Sequence, residues 1–378
     1  MRKDRQSVTG RYPTIVAMLL ALAAGCGDEE EVRSVAVSQD GKSTARVVKS
    51  GKKQYVVKDG ERVGEEHDYV SDPVLSADGG SIAFVARSKG TNRVIRNGAT
   101  VGGKYDSVTA PAVSADGKSV AFVARKGETC FVVKNGNRVG TETYKEASSP
   151  VFSPDGESLA YVAKTNDEVF VVQDGVRVGV ALDAHKMSRI QEPVFTDGGK
   201  SLAYVIREGS ECAIVKDGVR IAEGGLIGQL TTNADGTSLA YAVNTGGGFG
   251  VMREGEPVGK KYDNIWSLVF GPDGRTVAFA AQTGRKWVVV REGVKVSPPY
   301  DWIEEIIFSP DGRSLAFKAV TGVKVSVYRD RARVGGPYDK VSGLSSSSDG
   351  SKLVFVAVQA KQSRRVEVPW QAAARTSP

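Results

Sequence analysis

The chain has 378 residues, 40% of them hydrophobic and 25% charged, which excludes a disordered segment and allows one large core or two ordinary ones. Its formal charge is +7 with only two histidines and three cysteines, which leaves little material for a His/Cys metal centre.

The first element in chain order is an export signal. Arg2, Lys3, Arg5 and Arg11 precede an apolar run, Thr14 to Ala24, that is too short to span a bilayer as a mature helix. The run ends in Ala23-Ala24-Gly25-Cys26, which resembles the lipobox of bacterial lipoproteins, with Ala23 where that family usually has Leu. The resemblance implies that residues 1–25 are removed and that Cys26 becomes a lipidated N-terminus. Residues 26–31 would then form the tether. Gly27 after the cysteine implies the outer membrane in a proteobacterial host, on its periplasmic or surface face. Removing residues 1–25 takes away those four basic residues and Asp4, so the mature charge falls to +4. That mild charge, on an exported protein, does not indicate nucleic-acid binding.

From residue 32 the chain repeats. An Asp-Gly turn recurs at Asp40, Asp78, Asp116, Asp155, Asp197, Asp235, Asp273, Asp311 and Asp349, with spacings of 38, 38, 39, 42, 38, 38, 38 and 38 residues. One period contains four short Val-, Ile-, Phe- and Tyr-rich runs and no helix. A second turn, at Asp59-Gly60, Asn97-Gly98, Asn135-Gly136, Asp174-Gly175 and Asp217-Gly218, demands positive φ and links antiparallel strands as hairpins. In the second strand Ala83, Ala121, Ala160, Ala203, Ala240, Ala278 and Ala316 are each followed by Phe or Tyr. A small residue on one face and a large one on the other let neighbouring four-stranded sheets nest as blades of a propeller. Pro73, Pro111, Pro150 and Pro193 open first strands, where the missing N–H costs no ladder bond.

The motif x-F-S-P-D-G-x-S-L-A-F/Y-V-A, matched most closely over Phe152 to Ala163 and more loosely from Phe270 and Phe308, resembles the TolB-like, WD-like β-propeller repeat. The resemblance covers residues 32–370 and implies an all-β propeller of four-stranded antiparallel blades. It implies no single activity, because that family includes both binding proteins and non-catalytic domains of peptidases. Nine copies of the first three strands and eight of the fourth give nine blades, the ninth short of its edge strand or completed by Gly27 to Val32. Eight blades with a surplus hairpin, or an open solenoid, are the alternatives. Residues 371–378 read as a disordered tail.

Cys130 and Cys212 occupy equivalent strands with a whole repeat between them, so they lie too far apart for the roughly 4.4–6.8 Å Cα separation of a disulfide. Both are expected to be free, packed thiols. The turn aspartates and the recurring Tyr-Asp pairs, such as Tyr105-Asp106 and Tyr300-Asp301, read as bends and caps. Lys58, Arg96, Lys134, Lys216, Arg253, Arg291 and Arg329 recur beside the hairpin turn, either as a basic band for anionic headgroups or polysaccharide or as a solvated edge that resists aggregation.

Functional candidates are sought where the repeat fails. The four-residue excess of the fourth repeat carries Asp183 and His185; Trp266, Trp302, Glu304 and Glu305 stand in connections from one blade to the next, around the channel mouth. A Trp beside carboxylates suits a sugar or a peptide side chain. No short catalytic motif, metal-ligand spacing or phosphate loop is present, and no catalytic residue or cofactor is assigned. The expectation is a non-catalytic, monomeric envelope lipoprotein that binds a protein or polysaccharide. A carbohydrate-active or other hydrolytic enzyme using channel-mouth carboxylates is the alternative.

Overall fold

The structure, a computed structural model, describes residues 31–371 apart from 39, 41, 187, 348 and 361. Cys26, the expected export signal over residues 1–25 and residues 372–378 lie outside the described residues. The described chain forms nine antiparallel sheets in sequence order. These are blade 1 (31–67), blade 2 (69–105), blade 3 (107–138), blade 4 (146–183), blade 5 (189–224), blade 6 (226–257), blade 7 (264–295), blade 8 (302–338) and blade 9 (340–369). A single turn of 3-10 helix at Asp197–Gly199 is the one helical element among the described residues.

Blade 8 shows the pattern, with strands Trp302–Phe308, Leu315–Thr321, Lys324–Arg329 and Ala332–Tyr338 paired in that order. First strands of neighbouring blades contact one another and surround the channel. The Asp-Gly turns and the hairpin turns before the fourth strand lie at one end of the propeller. The turns between second and third strands and the connections between blades lie at the other. Blade 9 has three strands. Residues 31 and 32 do not complete it, because Glu31–Val37 pairs with Thr44–Ser50 as the first strand of blade 1; residues 27–30 lie outside the described residues. That strand begins one residue before the boundary read from the sequence. Among the described residues no strand pairs with the outer edge of blade 9, Gln362–Pro369, which carries Arg364, Arg365, Glu367 and Pro369, side chains that discourage pairing with another sheet.

The alternation of small and large residues works as the sequence predicts. Phe84 packs back onto Ala45 and Val47 of blade 1, whereas Ala83 packs forward against Phe122 of blade 3. Eight blades repeat the aromatic; in blade 1 the position holds Arg46. The hairpin turns of blades 1 to 7 adopt left-handed geometry at both central residues, as at Asn97 (φ 48) and Gly98 (φ 84). The Asn or Asp also accepts the N–H that opens the second strand: Ile82 N donates to Asn97 Oδ1 at 2.9 Å and Leu315 N to Asp330 Oδ1 at 2.9 Å. Cys130 and Cys212 are buried and free.

The innermost strands divide the channel into two halves. In blades 2 to 5 the strand breaks in two at the proline, as in Tyr69–Val70 and Val74–Leu75 around Pro73, so the proline follows a short first piece rather than opening the strand. In blades 6 to 9 it is continuous and carries a bulge, as between Trp266 and Val269.

Candidate functional site

The regular polar residues of the repeat are engaged in holding blades together. Asp155 bends the chain between the first two strands of blade 4, accepting from Ser153 Oγ at 2.5 Å and Glu157 N at 3.0 Å. The same bonds at Asp116, from Ser114 Oγ and Lys118 N, push its carboxyl down to about 2. Aspartates of the Tyr-Asp pairs cap a hairpin of the following blade: Asp106 accepts from Gly127 N at 2.7 Å, Asp301 from Gly322 N at 2.7 Å and Asp339 from Ala360 N at 2.8 Å.

The recurring cations do not form a free basic band. Arg96 donates to Gly117 O, Lys134 to Glu157 O and Arg253 to Arg275 O, each in the next blade. Arg291 grips blade 8 through Gly312 O at 2.8 Å and Arg313 O at 3.0 Å. Lys58 and Lys216 instead pair with Asp59 and Asp197 of their own blades. The outer arginines stack on third-strand rings, as Arg177 does on Phe170 with 3.9 Å to the centroid. These cations act as clamps between and within blades, which the sequence showed only as a periodic charge.

One member of the Tyr series is His67, buried between blades 1 and 2 with Nδ1 3.1 Å from Ser88 Oγ. Burial, reinforced by the Arg93 guanidinium and Lys53 and partly opposed by Glu65 and Asp68, holds its pKa below the ordinary imidazole value of 6.5. A folded-state value below the unfolded one means that the unfolded chain binds the proton first. The stability from neutral His67 is therefore present above about pH 6.5 and is lost as the pH falls toward the folded-state value. His67→Tyr, which installs the residue found at this place in other blades, is expected to shrink the drop in urea midpoint between pH 7 and pH 5. An unchanged drop would assign the acid sensitivity to other groups.

The six candidates from the sequence fall into two places. Asp183 ends the fourth strand of blade 4, and its carboxylate accepts from His185 N at 2.9 Å, closing a local turn in the inserted residues. Leu182 pairs with Val169 where Tyr144 pairs with Cys130 in blade 3, so Asp183 is the capping aspartate of the series, turned inward on its own loop by the insertion. His185 is exposed, 3.5 Å from Asp167 Oδ1. Lys186 Nζ lies 3.8 Å from Asp183 Oδ2, so these groups are engaged with one another within the inserted loop.

Trp266, Trp302, Glu304 and Glu305 do come together, on the first strands of blades 7 and 8. The two indoles lie 6.0 Å apart, Trp302 meets Trp287 edge-on at 4.6 Å, and Trp266 Nε1 donates to Glu304 O at 3.3 Å. Both indoles are half-buried, so much of their surface packs the blade interface. The sequence reading missed the residue that organises the carboxylates. Lys318, 8% exposed, extends its Nζ to 3.3 Å from Glu304 Oε2 and 3.1 Å from Glu305 Oε2, within reach of Val341 O of blade 9. The equivalent residue in every other blade is apolar: Val47, Val85, Val123, Val162, Val205, Ala242, Ala280 and Val356. Glu305 also replaces a linking residue. In blade 6 Gln229 Oε1 accepts from Leu268 N at 2.7 Å, and in blade 7 Ser267 Oγ accepts from Ile306 N at 3.2 Å. Glu305 instead turns to Lys318, leaving its enclosed Oε2 in an ion pair without hydrogen-bond alignment. Among the described residues no group of His, Cys, Asp and Glu is placed to hold a metal ion.

A nine-bladed antiparallel ring with these features defines a β-propeller protein. No protein-family model matches the chain, and no curated protein matches it in sequence. Among solved structures, a eukaryotic initiation factor aligns over 93% of this chain and 90% of its own at 13% identity, with a TM-score of 0.50. The Dos1 propeller aligns over 90% and 92% at 12% identity and a TM-score of 0.49. The propeller domain of the Trilobed protease from Pyrococcus furiosus aligns over 83% and 98% at 10% identity and a TM-score of 0.41. At such identities the likeness is one of fold alone.

Proposed function

We propose that this propeller is a non-catalytic binding protein of the cell envelope, anchored through a lipid on Cys26, that holds a protein or polymer partner at the blade 7–8 sector of its channel mouth. The observation that carries the reading is Lys318. A charged amine at an otherwise apolar position lowers stability unless it is compensated, and local rules are broken where function requires it. Beside it, the partly exposed Glu304 carboxylate and the Trp302 indole offer a charged group and an apolar plate to one ligand. TolB-like repeats and the lipobox resemblance supply the envelope half of the reading.

The test replaces Lys318→Val together with Glu305→Gln, which rebuilds the apolar and Gln pair that blade 6 uses at Ala242 and Gln229. The double variant is expected to fold with an unchanged or higher thermal midpoint. It should fail to retain the envelope component that wild-type protein retains in a pull-down from native membranes. Retention of the same component at wild-type yield would refute the site. In the same preparation Cys26→Ser should move the protein from the membrane to the soluble fraction, and a variant that stays with the membrane would refute the anchor.

A further inference from the structure

The proline-split half of the channel holds a second feature, independent of the blade 7–8 site. A cavity of about 560 Å³ opens at the Asp-Gly end, walled by Val74, Leu75, Val113, Val151, Phe152 and Phe195, with blade 6 closing one side through Thr232. This volume is in the range of small-molecule sites, and no charged side chain lines it. Two carboxylates stand just beyond the apolar wall. Asp72 and Glu192 each precede the proline of a split strand, two residues before Val74 and Val194 of the wall. Blades 3 and 4 carry Ala110 and Ser149 there.

These four residues lie at the interruption of the innermost strand, whose second-strand partner resumes pairing only past the proline; the open side of the strand is the channel. Most aspartates of the repeat accept from a backbone N–H or a lysine. Neither Asp72 nor Glu192 has an ion-pair or hydrogen-bond partner for its carboxyl among the described residues. Desolvation raises the Glu192 pKa above the ordinary carboxylate value, although much of the residue's surface is exposed. An apolar cavity with uncompensated negative charge at its inner rim and no positive charge on its wall is complementary to one kind of molecule.

We propose that the cavity binds a small amphiphilic cation, its apolar body against the Val and Phe wall and its ammonium group facing Glu192, with Asp72 contributing from blade 2. Burial of the apolar body supplies most of the affinity, and the carboxylates select the charge.

The test uses trimethylammonium-diphenylhexatriene and its uncharged parent diphenylhexatriene, both of which fluoresce in apolar surroundings, titrated into the purified protein. The cationic probe is expected to bind more tightly than the neutral one. Glu192→Gln should weaken the cationic probe by up to about five-fold, the upper range for an ion pair open to water, and leave the neutral probe unchanged. Ala115→Trp, which places an indole from an exposed turn into the cavity, should abolish binding of both while the thermal midpoint holds. Equal affinity for the two probes, selectivity that survives Glu192→Gln with Asp72→Asn, or binding that survives Ala115→Trp would each overturn the proposal.

Discussion

Phe317→Ala is expected to destabilise the propeller by about 3–5 kcal/mol, seen as a fall in the urea midpoint with little change in slope. The ring is fully buried. It stacks on Tyr328 with centroids 5.4 Å apart and planes at 9°, and meets Tyr300 edge-on at 5.8 Å. It also fills the space in front of Ala278 and Ala280 of blade 7, so truncation opens a void on both sides of a blade interface. The surrounding strands are fixed by their ladders and cannot close inward, which places the cost at the high end for an aromatic. Domains of ordinary stability have about 5–15 kcal/mol in total, so the variant should approach the threshold of folding at 37 °C. A loss below about 1 kcal/mol would show that blades 7 and 8 collapse onto each other freely and that the aromatic series is not what spaces them.

Why that ring could be named from the sequence, and Lys318 could not, follows from what a period reveals. The Ala-aromatic pair repeats in seven blades, and its small and large faces dictate a nested interface before any coordinates exist. Counting the Asp-Gly turns between first and second strands gives nine blades, because that bend recurs in every copy of the repeat. The partners of repeated polar residues are a different matter. Arg291 recurs in register with Arg253, yet its acceptors lie 21 and 22 residues onward in the next blade, a distance no local pattern specifies. Trp266, Trp302, Glu304 and Glu305 were found because they depart from the small polar residues of other connections. Lys318 departs equally, in an apolar strand, but a single lysine there does not reveal that its partners are carboxylates 13 and 14 residues earlier on the paired strand. Asp183 shows the opposite failure. It looked exceptional only because an insertion displaced it from a capping series in which it is an ordinary member.

Gly259→Ala is expected to destabilise through the backbone. Gly259 has φ +80, a conformation that costs a side-chain-bearing residue about 1–2 kcal/mol. A methyl group there would also stand 2.5 Å from the Cα of Gly293, closer than atoms can approach. Gly293, at the hairpin turn of blade 7, would in turn place a methyl group 2.7 Å from the Cα of Gly259. The two main chains therefore touch directly at the rim where blade 6 meets blade 7. Gly140 and Gly175 make the same contact between blades 3 and 4, with 3.1 Å to the Cα of Gly175 and 2.9 Å to that of Gly140. These glycine pairs are thus a spacing device: a Cβ at Gly259 pushes the outer ends of blades 6 and 7 apart and strains the clamps that Arg253 makes to Arg275 O and to Glu292. Gly255→Ala serves as the control, since Gly255 has a similar φ of +83 but open space where the Cβ would sit. Its cost should be the conformational term alone. Gly259→Ala should lower the thermal midpoint clearly more than Gly255→Ala, and should do so without removing any side-chain contact. Equal losses in the two variants would mean that the blades yield at this rim, and that closure of the ring is set at the channel by the linked first strands instead.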